Sequence, residues 1–132
     1  MKFLRLLFFL SIIFLLFSTI TFFGIRSMIK FQLNQVCKEA AVEYNCNAKK
    51  ALLLKLQNET QSDRDMNAVI WAVGKIKIIE SLPLLEEIYQ KTGDENYQYY
   101  MCRRELEKAI GYLSDTKLDV MSFKNLKIVS TE

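Results

Sequence analysis

Apolar positions follow two regimes along this chain: one unbroken block near the start, then, beyond residue 30, recurrences at intervals of three and four. From Leu6 to Ile25 run twenty residues without a charge, LLFFLSIIFLLFSTITFFGI, flanked by Lys2 and Arg5 before and Arg26 and Lys30 after. At about 1.5 Å rise per residue, a helix of that length crosses the ~30 Å hydrocarbon core of a bilayer. The block therefore predicts a transmembrane helix over about 6–25, within an anchor comprising residues 1–29.

The periodic regime predicts a helical domain over 30–115. Val36, Ala40, Ala41 and Tyr44 recur at helical spacing, Asn45-Cys46-Asn47 interrupts, and Ala51, Leu52, Leu54 and Leu56 resume, which reads as two short antiparallel helices. After the polar stretch QNETQSDRD, the residues Met66, Val69, Ile70, Val73 and Ile76 fall on one helical face. Ser81 is placed to cap the next helix, and Pro83 sits in its first turn, where a missing N–H costs nothing. Glu86 and Glu87 are expected to complement that helix's positive end, and Gly93 to stop it. In the last helix Cys102, Leu106, Ala109, Ile110 and Leu113 form one stripe, with Arg103, Arg104, Glu105, Glu107 and Lys108 directed elsewhere. The tail over 116–132 has no clear period and reads as a cap, a short strand or a loose end.

Shifting the chain by 37 residues superposes Val69, Ala72, Val73, Gly74 and Ile76 on Leu106, Ala109, Ile110, Gly111 and Leu113. A period in this range marks stacked helical repeats, each burying its apolar face on its neighbours. The recurring Ala and Gly near the helix ends allow a second helix to approach closely. With these residues in view, AVIWAVGKIKIIESLPLLEEIYQ resembles a HEAT-type repeat. Trp71, Ala72, Val73, Gly74 and Ile76 match the end of that repeat's first helix, and Ser81, Leu82, Pro83, Leu84 and Leu85 match the opening of its second. CRRELEKAIGYLSD is similar to the first helix of a following repeat. The likeness is strong over 64–115 and weak over 34–57, and with the amino-terminal span it extends to small bacterial membrane-anchored HEAT-repeat proteins. It implies an all-α fold, a transmembrane helix followed by a short α-hairpin solenoid. Lys77 and Ile78 depart from the Gly-Asp of the family's inter-helix turn, so that turn is expected to be longer or differently shaped.

Charge belongs chiefly to the flank of the span. The chain holds 18 Lys and Arg against 15 Asp and Glu, and without Lys2 and Arg5 the balance is 16 to 15. A nucleic-acid binder carries a basic face on its folded part, so no nucleic-acid partner is expected. A cleaved secretory signal competes with the anchor, but the apolar run exceeds the roughly 7–15 residues of a signal core and no Ala-x-Ala-like site follows it. Flanking cations nearly tie across the span. The short amino-terminal tail favours the cytoplasmic side, which sets the soluble domain outside the cytoplasm as a single-pass arrangement.

Chemistry is sparsely equipped. The chain has no histidine, which removes the usual activation of serine or cysteine nucleophiles and the commonest zinc ligand. Gly24, Gly74, Gly93 and Gly111 are isolated, so no phosphate loop is present. Some HEAT-like sequences resemble bilin lyases, but that likeness lies in the repeat and not in catalytic residues. No catalytic, cofactor or metal residues are assigned, and the protein is expected not to be an enzyme. Cys37 and Cys46 form a candidate disulfide if the turn at Asn45 folds them together in an oxidising compartment; buried or tolerated thiols are the alternative. Cys102 reads as a small core residue.

Tyr97, Tyr99, Tyr100, Arg103 and Arg104 carry the residue types enriched at binding hot spots and form the candidate interaction surface. Stacked repeats usually number three or more, and two to two and a half leave an apolar end open. The expected function is a membrane-tethered scaffold or adaptor that binds a protein partner or a second copy. The alternatives are a small single-span subunit of a larger membrane complex and a helical protein secreted after signal cleavage.

Overall fold

A computed structural model describes residues 2–58, 61–92, 103–117, 121 and 123. Among them the chain is helical without strands: α1 (Lys2–Tyr44), α2 (Ala48–Gln57), α3 (Asp63–Ile76), a single 3-10 turn (Ile79–Ser81), α4 (Leu82–Lys91) and α5 (Arg103–Leu113). The residues group into two compact units, Met1–Gln32 and Leu33–Glu132.

The first unit is helix throughout its described length, and its large apolar side chains are exposed, from Phe3 and Leu4 to Ile25 and Met28. None of the apolar stretch is buried. It is long and apolar enough to cross a membrane, and a signal sequence meets the same two criteria. Gly24 stands inside this helix, which is continuous through it. One glycine costs a helix interior about 1 kcal/mol relative to alanine.

In the second unit the expected pair of short helices over 34–57 is corrected. Val36, Ala40, Ala41 and Tyr44 belong to the end of α1, which continues without a break to Tyr44. No proline, and no glycine after Gly24, stands before Asn45 to stop it. The interruption itself falls where the asparagines predict. Asn45 takes a left-handed φ of 47°, a region asparagine tolerates. Asn47 then caps α2, its Oδ1 accepting from the Lys50 N–H at 2.9 Å. Leu33, Cys37 and Ala40 on this last stretch of α1 are buried, as are Ala51, Leu52 and Leu56 on α2.

Helix α3 is the best-buried element. Met66, Val69, Ile70, Ala72 and Val73 are at most 2 % exposed. Removing a side chain of Val, Ile or Met from water is worth about 1.5–3 kcal/mol, so this face contributes several kcal/mol to the unit's core. Ser62 caps it by accepting from the Asp65 N–H at 3.3 Å and donating back to the Asp65 carboxylate at 2.7 Å. Its far end closes tightly despite lacking Gly-Asp. Lys77 adopts φ 58°, its N–H donates to the Gly74 carbonyl, and the Ile78 N–H donates to the Val73 carbonyl at 3.2 Å. That is a Schellman closure built on a lysine. The Lys77 ammonium reaches the Asp115 carboxylate at 2.8 Å, and Ile78 is buried.

Two details of α4 are also corrected. Ser81 precedes it but does not cap it: it sits in the 3-10 turn with helical backbone angles, φ −82° and ψ −12°, instead of the extended ones of a cap, and its buried hydroxyl turns back to donate to the Ile78 carbonyl at 2.6 Å and accepts from no α4 N–H. Glu86 and Glu87 lie beyond the first turn, too late to answer the helix dipole, and Glu87 pairs with Lys91 at 2.8 Å instead. Pro83 stands at the start, as its chemistry predicts. The Gly93 stop lies outside the described residues.

Helix α5 packs against both α3 and α4, and α2 against α3. The glycine register explains the first contact: a methyl group at Gly74 would sit 3.1 Å from the Cα and Cβ of Ala109. With hydrogen at position 74 the two helices approach this closely without either having to give way. Phe123, 7 % exposed, returns to this seam and donates its N–H to the Lys75 carbonyl at 2.9 Å, satisfying an acceptor at the carboxyl end of α3. At that residue the tail acts as a cap.

Candidate docking groove

Ile110 departs from its expected place. Leu106, Ala109 and Leu113 are buried, but Ile110 is half-exposed and borders a groove of about 630 Å³ between α4 and α5. Each wall is one helical face: Glu86, Tyr89 and Gln90 from α4, Glu107, Ile110 and Gly111 from α5, both at i, i+3 and i+4. Thr116 and Lys117 complete the lining.

A three-residue contact fixes the walls together. The Arg103 guanidinium lies 4.5 Å from the centre of the Tyr89 ring and donates from Nη2 to the Tyr89 hydroxyl at 3.1 Å. That hydroxyl donates to the Glu107 carboxylate at 3.0 Å, and Arg103 Nε stands 3.9 Å from the same oxygen. Stacking and the two hydrogen bonds to the Tyr89 hydroxyl thus link α4 to α5, while the ion pair lies within α5; all involve groups that remain partly wet, where each is worth about 1 kcal/mol or less.

Of the candidate interaction residues, Arg103 is committed to this internal lock and Arg104 is exposed on α5. Tyr97, Tyr99 and Tyr100 lie outside the described residues. Tyr89 is the groove residue that the periodic pattern did not single out; Ile110 was read into the buried stripe of α5 and Glu107 onto its outer face. The signal was faint but present: Tyr89 and Arg103 are hot-spot residue types on helices adjoining one connection.

A smaller cleft of about 190 Å³ opens on the α3–α5 seam, lined by Trp71, Gly74, Lys75, Glu105, Lys108, Ala109 and Tyr112. Its cations are engaged. Lys75 lies 5.1 Å above the Tyr112 ring and Lys108 pairs with Glu105 at 2.7 Å. Elsewhere, the hydrogen bond from the Lys49 ammonium holds the Glu80 carboxyl below its usual range and ties α2 to the 3-10 turn at 2.7 Å.

Cys37 and Cys46 are both free thiols. The turn begins only after Tyr44, so the helix holds Cys37 about 10 Å of axial rise before its own end. No fold-back of that segment brings the pair together. Cys102 lies outside the described residues. Among the described residues no group of His, Cys, Asp and Glu could hold a metal ion.

Compared with known proteins, the chain matches no family model, no curated protein and no solved structure.

Proposed function

We propose that this chain is a membrane-tethered, non-catalytic HEAT-like module that docks another protein in the α4–α5 groove. The exposed apolar run of the first unit supports the tether, since about twenty such side chains in water are unfavourable and in lipid are at home. The groove carries the docking half of the reading. Two helix faces lie side by side with an isoleucine and a tyrosine between carboxylates, and in a repeat stack the next helix covers such a surface.

Site-specific photo-crosslinking in native membranes tests this. A photoreactive residue at Gln90, inside the groove, is expected to give a discrete protein adduct, and one at exposed Arg64 on α3 is expected to give none. Equal labelling from both positions contradicts groove docking. Replacing residues 6–25 with an unrelated polyleucine span separates the alternative in which the span itself binds: the adduct survives if the groove recruits the partner and disappears if the span does.

A further inference from the structure

Charge along α1 has one sign for most of its length. Lys2, Arg5, Arg26, Lys30 and Lys38 all precede the first carboxylate, Glu39. Past the apolar block, the stretch from Arg26 to Phe31 is two-sided. At about 100° per helical residue, Arg26 and Lys30 share one side of the helix, and Met28 and Phe31 share the other. Met28 is 62 % and Phe31 70 % exposed, whereas full burial on α1 begins only at Leu33. Two large apolar side chains thus stand bare beyond Ile25, opposite a pair of cations.

We infer that residues 26–31 form a lipid-headgroup collar: Lys30 and Arg26 hold the phosphate of an anionic phospholipid, and Met28 and Phe31 enter the acyl boundary beneath it. This rests on the tether reading and deepens it by naming the lipid. Depth supports the contact. Phe31 lies six residues past Ile25, about 9 Å of rise, and the headgroup layer on each side of the hydrocarbon is about 5–8 Å thick. Helical Cα–Cβ bonds tilt toward the amino terminus, which on this flank is toward the apolar block. The Phe31 ring therefore leans from the outer edge of the headgroups back toward acyl carbon, where burial from water is favourable. Lys30, one residue nearer, leans back to phosphate depth with its methylene stem laid along apolar surface. The Arg26 guanidinium carries five donors, so it can serve a phosphate together with an acceptor on the protein. Charge selects the lipid. With no carboxylate before Glu39, this flank presents net positive charge to the membrane surface, the complement of an anionic headgroup.

The complete chain with a benzophenone-bearing phenylalanine in place of Phe31 tests this. It is reconstituted in vesicles of phosphatidylcholine and phosphatidylglycerol in equal amounts, irradiated, and its lipid adducts are weighed by mass spectrometry. Phosphatidylglycerol adducts should exceed phosphatidylcholine adducts about fivefold, the factor that one surface cation supplies. Arg26→Gln combined with Lys30→Gln should bring the two to parity, and Lys30→Arg should keep the preference. Both cations and Phe31 are exposed, so these changes leave the core untouched. The same photoprobe at Val42, 70 % exposed and about 16 Å further along α1, should capture no lipid.

Parity with both cations in place overturns the anionic-lipid assignment, as does a preference that survives their loss. A probe at Phe31 that captures no lipid while the chain floats with the vesicles overturns the collar and leaves the tether standing. Lipid adducts of equal yield at Val42 overturn the collar as well. A chain that does not float with the vesicles removes the tether, and the collar with it.

Discussion

Alanine at the two register-related glycines should separate them sharply, and in the opposite order from the bare distances. At Gly111 the added methyl meets the Cδ and Cγ of exposed Lys117 at 2.7 and 2.9 Å, which can rotate away, and its Cβ at 3.3 Å, which has only to give by a few tenths of an ångström against the bond from the Lys117 N–H to the Gly111 carbonyl. Part of the helix-propensity gain of about 1 kcal/mol then survives, and Gly111→Ala is expected to be neutral to about 0.5 kcal/mol more stable. At Gly74 the contacts are longer, 3.1 Å, but they are made to the Cα and Cβ of Ala109, which move only if α5 moves. Ordinary carbon contacts are about 3.5–4.0 Å, so the helices must part by roughly half an ångström along a packed seam. Overpacking of this kind costs about 1–3 kcal/mol, which offsets the propensity gain and leaves Gly74→Ala about 0–2 kcal/mol less stable. Trp71, the single tryptophan, lies one turn before Gly74 and lines the same seam. Urea unfolding followed by its fluorescence, with the complete chain in mild detergent, therefore reads the right place. Gly74→Ala unfolding at the same or higher urea than Gly111→Ala would refute close α3–α5 packing.

Further outcomes follow from single contacts. Tyr89→Phe removes the hydroxyl between Arg103 and Glu107 and should cost about 0.5–1.5 kcal/mol, with the Tyr89→Phe and Glu107→Gln effects coupled in a double-mutant cycle. At Lys77, φ 58° is costly for a β-branched side chain, so Lys77→Val should lower stability by about 1–2 kcal/mol more than Lys77→Gly, measured by thermal unfolding. Glu80 has its carboxyl lowered by the Lys49 hydrogen bond, so whatever stability that contact supplies is present above the ordinary carboxylate range and lost as pH falls through the depressed value. Lys49→Met should raise the Glu80 titration seen by carboxyl carbon NMR and remove that acid dependence. In a Cys102→Ser background a maleimide should modify Cys46 rapidly and Cys37, fully buried, only on unfolding.

Much of the helical plan could be read from residue spacing because its determinants are local. Asn45 and Asn47 end one helix and cap the next, Pro83 opens α4, and the Met66-Val69-Ile70-Val73 stripe is buried as a face. Departures arise where a neighbouring element competes for the same atom or surface. Ser81 has the composition of a cap, but the 3-10 turn before α4 holds it in helical backbone angles and turns its hydroxyl back to the Ile78 carbonyl. Ile110 shares the apolar stripe of α5 yet stays half-exposed, because Ala109 is the residue set against Gly74 of α3 while Ile110 borders the open groove beside α4. The Schellman turn at Lys77 was hidden for the converse reason. A left-handed lysine is locally unfavourable, and it persists with Ile78 buried beneath it and Asp115 paired above. The Arg103–Tyr89–Glu107 lock joins residues 14 and 18 positions apart, which no helical period encodes.

Alkaline carbonate extraction of native membranes, followed by intact mass measurement of the recovered chain, addresses the tether most directly. The account predicts the 15.5 kDa chain in the membrane pellet with residues 6–25 still attached. Recovery in the carbonate supernatant, or of a shortened chain that has lost the apolar run, would contradict it.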